Sequence, residues 1–116
     1  MKTALLIDGD EPSSRAIKAL ASQLSCSLAL ARTASEGMVL LSEYRFPLLI
    51  AETHLPDIDG LTLVSSIRRD FPRTYCCLIS PRPITRPHEA HVFLQKPLSL
   101  ETLKDLLSKA SAASLR

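Results

Sequence analysis

Short apolar runs punctuate the chain at fairly regular intervals. Ala4-Leu5-Leu6-Ile7 is one, and it ends in acid. Leu48-Leu49-Ile50-Ala51, Cys76-Cys77-Leu78-Ile79 and Val92-Phe93-Leu94 repeat the pattern, and Ser27-Leu28-Ala29-Leu30-Ala31 alternates small residues with leucine. Runs of this length match strands covered on both faces. Helix signals lie between them. Pro12 suits a first helical turn, and Ile17, Leu20, Ala21 and Leu24 then form one apolar stripe. Thr33-Ala34-Ser35-Glu36 is a capping box ahead of Val39 and Leu40. Asp59 or Gly60 opens a third helix that Pro72 stops, and Ser99 caps a last one carrying Leu100, Leu103, Leu106 and Leu107. Strands alternating with helices predict a parallel sheet with helices on both faces.

Composition narrows this picture. At 116 residues, 46% hydrophobic and 22% charged, the chain suits one folded domain with an ordinary core. A net charge of +2 makes no strong call on nucleic acid or anionic membrane. No apolar run approaches the roughly 20 residues of a membrane span, and the early Asp8 argues against a signal peptide. Three cysteines, an odd count, fit a reducing compartment, the cytoplasm, better than a disulfide framework. The small, polar stretch 111–116 reads as a flexible tail or the start of a linker after a domain over 1–110. Eight prolines against three glycines is unusual, and their positions matter below.

In open α/β sheets ligands bind beyond the carboxyl ends of the strands. Asp8, Gly9, Asp10 and Glu11 follow the first strand. Glu52, Thr53 and His54 follow the strand at Leu48, Ser80 ends the run at Cys76, and Lys96-Pro97 ends the last. Carboxylates, a hydroxyl and an ammonium therefore converge on one rim. Carboxylate oxygens suit Mg²⁺; a lysine and a hydroxyl suit a phosphoryl group.

These residues, in this order, resemble the receiver domain of two-component response regulators over nearly the whole chain. The stretch from Leu48 through Glu52 to Leu55-Pro56-Asp57-Ile58-Asp59-Gly60 resembles the family's phosphoacceptor strand and the loop after it. Lys96-Pro97 resembles its lysine and cis-proline, and Ile7-Asp8 the start of its acidic pair. The resemblance implies a three-layer, doubly wound, five-stranded parallel sheet of flavodoxin-like order 2-1-3-4-5. It also implies phosphoryl transfer from a histidine kinase to an aspartate, aided by Mg²⁺, with the signal passed to an output partner.

Three departures follow. The acceptor position holds Glu52, whose carboxylate reaches about 1.5 Å further than that of aspartate. A misplacement of about 1 Å in an in-line transfer costs roughly 100-fold. Glu52 either carries negative charge outward as a phosphoaspartate would, or simply pairs with Lys96. Second, Gly9 interrupts the acidic pair, so a metal set is reduced to Asp8, Asp10 and Glu52, with Asp10 a stand-in if it swings inward. Third, Pro81, Pro83 and Pro87 crowd the segment where the family has a helix. A proline inside a helix costs about 3 kcal/mol, so the fourth helix is expected to be missing or reduced to a turn. Ser80 and Phe93 stand at the family's switch hydroxyl and switch aromatic.

Other constellations carry less. Cys76 and Cys77 point to opposite faces of a strand and cannot join His88 and His91 around one metal ion. Arg68, Arg69, Arg73, Arg82 and Arg86 form a basic zone. No nucleic-acid-binding pattern and no Walker, GxSxG or HExxH motif occurs. The expectation is a non-enzymatic receiver-like domain that acts by protein contact without aspartate phosphorylation. It needs no cofactor, and its partner is a kinase, an output domain or a second copy. The alternatives are a phosphorylation-responsive receiver using Asp57, Asp10 or Asp8, and a structural docking module.

Overall fold

The computed structural model describes residues 2–114. Strands β1 (Lys2–Ile7), β2 (Cys26–Ala31), β3 (Leu48–Glu52), β4 (Tyr75–Ser80) and β5 (Val92–Gln95) form one sheet in the order β2-β1-β3-β4-β5. Every pairing is parallel, with Ile7 beside both Ala31 and Ala51 and Glu52 beside Ile79. Helices α1 (Glu11–Gln23), α2 (Ala34–Glu43), α3 (Gly60–Asp70) and α4 (Leu100–Ser114) cover both faces. This is the expected doubly wound fold.

The alternation of side chains along a strand divides the core in two. Leu6, Ile50, Cys77 and Ile79 pack with Ile17, Leu103, Leu106 and Leu107 of α1 and α4. Leu5, Ile7, Leu49, Ala51, Cys76 and Leu78 pack with Leu41, Leu63, Val64 and Ile67 of α2 and α3. Strand β3 is buried along its whole length, which is why its sequence reads as an unbroken apolar run ending in Glu52.

Local signals set the helix starts. Asp10 caps α1 by accepting the Ser13 N–H at 3.0 Å, with Pro12 in the first turn. Thr33 caps α2 by accepting the Glu36 N–H at 3.1 Å. Asp59 caps α3 through the Leu61 N–H at 2.9 Å, and Ser99 caps α4 through the Thr102 N–H at 3.1 Å. Two glycines permit close approach. A Cβ on Gly37 would stand 2.2 Å from Ile7 Cδ1, and one on Gly60 would stand 2.1 Å from the Glu52 carbonyl oxygen.

Two expectations concerned the ends of elements. Helix α4 continues through Ser114, so residues 111–114, expected to be a loose tail, extend it instead. Alanine-rich sequence favours helix, and buried Ala110 seats this last stretch on the sheet. Residues 115 and 116 of that expected tail lie outside the described residues. Between β4 and β5 no helix forms, as the three prolines predict. The segment is tied down individually instead. Gln95 Nε2 donates to the Pro81 carbonyl, Arg86 pairs with Asp59 at 2.9 Å, and Ser65 Oγ and Arg68 Nη1 donate to the Glu89 side chain and carbonyl.

Candidate functional site

The carboxyl ends of β1, β3 and β5 bring Asp8, Glu52 and Lys96 together. Asp8 is fully buried, and the Glu52 side chain is 9% and the Lys96 side chain 11% exposed. The Lys96 ammonium lies 3.1 Å from Asp8 Oδ2 and 3.4 Å from Glu52 Oε1. The remaining acceptors are occupied as well. Asp8 Oδ1 takes the Asp10 N–H at 2.9 Å, and Asp8 Oδ2 also accepts from Ser13 Oγ at 3.0 Å. Glu52 Oε2 folds back onto the Thr53 N–H at 2.8 Å. The Lys96–Pro97 peptide bond is cis, as the resemblance implies. The Lys96 N–H donates to the Ser80 carbonyl, which holds the lysine stem beside β4.

Arg32 was not anticipated. Its Nη1 donates to Ser14 Oγ at 2.7 Å and to the Asp8 carbonyl at 3.3 Å. Its position announced it, since it directly follows β2 and so lies on the same rim as the other strand-end residues. Arg32 thus meets the rim through a backbone carbonyl and a hydroxyl, and Lys96 is the cation that pairs with the two carboxylates.

The other expected site residues are placed differently. Asp10 does not join the acidic pocket, because its carboxylate caps α1. Asp57, weighed as a substitute acceptor, accepts the Ala34 and Ser35 N–H groups, each at 2.9 Å, and so caps α2 from across the rim. Those two backbone bonds hold its carboxyl below the usual carboxylate range. Ser80 is buried and its hydroxyl accepts the Arg82 N–H at 3.3 Å, with no bond to Glu52 among the described residues. Phe93 is half-buried against the cluster beneath α2 and α3.

Magnesium of the kind the resemblance implies does not fit this donor set. Mg²⁺ prefers octahedral oxygen coordination with one or two carboxylates oriented toward it. Here Asp8 and Glu52 are held by an ammonium and by backbone and hydroxyl donors, Gly9 supplies no oxygen, and Asp10 is turned to its helix. Among the described residues no group of three His, Cys, Asp or Glu side chains is arranged to hold a metal ion. The weak metal set of Asp8, Asp10 and Glu52 is corrected accordingly.

The remaining constellations resolve simply. Cys76 and Cys77 lie on opposite faces of the sheet, and burial pushes both thiols up to about 12. The arginines form no single patch: Arg68 and Arg86 tie the loop after β4 to α3 and to Asp59, and Arg69 pairs with Asp70. No described helix is long and apolar enough to cross a membrane.

The family model described as the response regulator receiver domain matches residues 4–108. The signal receiver domain of an HD domain-containing protein from Pseudomonas fluorescens Pf-5 is similar at 28% identity. That match has a TM-score of 0.90 and covers 98% of this chain and 89% of the other. A two-component response regulator from Clostridium difficile matches at 23% identity and TM-score 0.88, covering 97% of each chain. The response regulator TrrA from Thermotoga maritima, solved in complex with Mg²⁺–BeF, matches at 19% identity and TM-score 0.87, covering 95% of this chain and 99% of that one. These last two likenesses speak to the fold alone. No curated protein matches the chain in sequence. The family match reaches into all five strands, and the strand order agrees with it, so the chain belongs to the response regulator receiver domain family.

Proposed function

We propose that this receiver domain signals by protein–protein contact without aspartate phosphorylation, with a kinase or an output domain as its partner in the cytoplasm. One observation carries the reading: every carboxylate that a phosphodonor would need is already engaged. Glu52 is bonded through both oxygens, to Lys96 and to the Thr53 N–H. Asp8 is fully buried. Asp10 and Asp57 cap α1 and α2. A nucleophile must present a lone pair in line with the phosphorus, and the donors on each of these carboxylates fix its orientation for another contact. The charge Glu52 carries falls short of the nearly two negative charges of a phosphoryl group, and its turn toward Thr53 and Lys96 favours a structural pair over a phosphoryl imitation. Recognition then rests on the irregular segment after β4, whose prolines and arginine ties offer a preset surface.

Mass spectrometry with acetyl phosphate and Mg²⁺ tests this. Wild type is expected to gain no adduct of about 80 Da, and Glu52→Asp alone is expected to gain none. Glu52→Asp combined with Gly9→Asp restores the missing ligand and is expected to gain one. There is room for it: a Cβ at Gly9 meets the Arg32 carbonyl and Pro56 at 3.4 Å, ordinary contact. An adduct on the wild-type protein overturns the reading.

A further inference from the structure

At the opposite end of the sheet from the acidic rim, a cleft of about 370 Å³ opens between the α2–β3 and α3–β4 connections and α4. Arg45 and Arg73 line it with Tyr75 and His91, and Pro47 and Ala113 complete its walls. Both arginines are exposed, and no salt bridge or hydrogen bond engages either guanidinium among the described residues. Glu43 and Asp70 line an adjoining cavity that shares both arginines, but Asp70 pairs with Arg69 and no ion pair joins Glu43 to either arginine among the described residues.

The chemistry of the far wall is set by the backbone. His91 Nδ1 lies 2.9 Å from the Cys76 nitrogen, and a backbone N–H can only donate. Nδ1 must therefore accept, and the neutral ring carries its proton on Nε2. The ring is held in place by its stack on Tyr75, with centroids 4.5 Å apart and planes 15° from parallel. Thr74 Oγ1 donates to the Phe46 carbonyl, so it offers the cleft no competing hydroxyl donor. The cleft is thus lined by residues carrying two guanidinium forks and an imidazole N–H, and among the described residues no hydrogen bond engages the Tyr75 hydroxyl. Planar guanidinium forks match carboxylate and phosphate oxygens bidentately.

We propose that this cleft is a binding site for a small oxyanion, a phosphate- or carboxylate-bearing ligand held between Arg45 and Arg73 and capped by His91 Nε2–H. The site is remote from the Asp8–Glu52–Lys96 cluster and does not depend on whether that cluster is phosphorylated. It would let the domain respond to an anionic ligand through β4 and β5, whose first contact is the His91–Cys76 bond.

Two-dimensional NMR titration tests this, with inorganic phosphate in one arm, acetate in a second, and sodium chloride at matched ionic strength as control. The expected result is saturable shifts of the Thr74, Tyr75, Cys76 and His91 amides with phosphate or acetate and none with chloride. The stronger arm identifies the headgroup. Arg73→Gln, and separately Arg45→Gln, should each weaken binding by about tenfold, the loss of one charge-assisted contact. Both residues are exposed, so the variants are expected to fold; an unchanged amide spectrum elsewhere checks this. Linear, unsaturable shifts, equal shifts with chloride, or saturable shifts that survive both substitutions or map to Ser80 and Lys96 overturn the proposal.

Discussion

Replacing Lys96 with methionine tests the account of the rim most directly. The variant keeps most of the side-chain volume and removes the charge. It leaves Asp8, fully buried, and Glu52, with a 9% exposed side chain, facing each other without the ammonium that lies 3.1 and 3.4 Å from them. Breaking a buried ion pair from one side costs about 3–5 kcal/mol, because the remaining charge stays desolvated. Here two charges are stranded, so the upper half of that range is expected. A domain of this length has roughly 6–17 kcal/mol of stability, so the variant should still fold. Urea unfolding reads the effect. With a slope of about 2 kcal/mol per molar, the midpoint should fall by roughly 2 M. Adding Asp8→Asn and Glu52→Gln to Lys96→Met removes the stranded charges and should recover most of the loss. The loss should also change little with added salt, because a buried pair is weakly screened. A midpoint displaced by less than about 0.5 M would refute the reasoning. It would mean that the ammonium is effectively solvated and that Glu52 is open to solution chemistry.

Two further outcomes are expected. Gly37→Ala forces a methyl to within 2.2 Å of Ile7 Cδ1 and should cost about 1–3 kcal/mol by overpacking, read as a lowered thermal midpoint, whereas an unchanged midpoint would show that α2 can retreat from β1. Asp57→Ala should destabilise α2 in a pH-dependent way. The bonds from Ala34 and Ser35 hold the folded-state carboxyl below its ordinary value, so its contribution is complete above that ordinary value and disappears as pH falls through the folded-state titration. Denaturation of wild type and variant across acid pH should show two curves that converge at low pH; a gap that persists there would assign the stability to something other than the ionised cap.

The legibility of this chain differs from element to element. The run Leu48 to Ala51 was readable because both faces of β3 are covered, so nothing polar interrupts it. The absence of a helix after β4 was readable because proline acts through its own ring and its missing N–H, whatever surrounds it. Lys96 and Glu52 were readable as neighbours because parallel topology places strand ends on one rim. The capping roles of Asp10 and Asp57 were not legible, for a common reason. A carboxylate near a rim has several donors in reach, and the sequence does not say which backbone N–H groups the fold will leave open. Arg32 escaped notice because it follows an edge strand whose end was not considered, although its spacing was as visible as that of Lys96. The tail was misread because a stretch of alanine and serine reads equally as linker or as helix until its first turn is seated on a core.

Local chemistry along the chain therefore settles the element order, the parallel sheet and the proline-broken segment. These depend on periodicity and ring geometry, which act over a few residues. Only the tertiary structure decides that Glu52 folds back to Thr53 while pairing with Lys96, that Asp57 caps a helix 22 and 23 residues away in sequence, and that Arg32 bonds Ser14 and the Asp8 carbonyl. Each of these is a choice among competing hydrogen-bond partners. The winner is set by distance and burial across chain segments that sequence spacing does not relate.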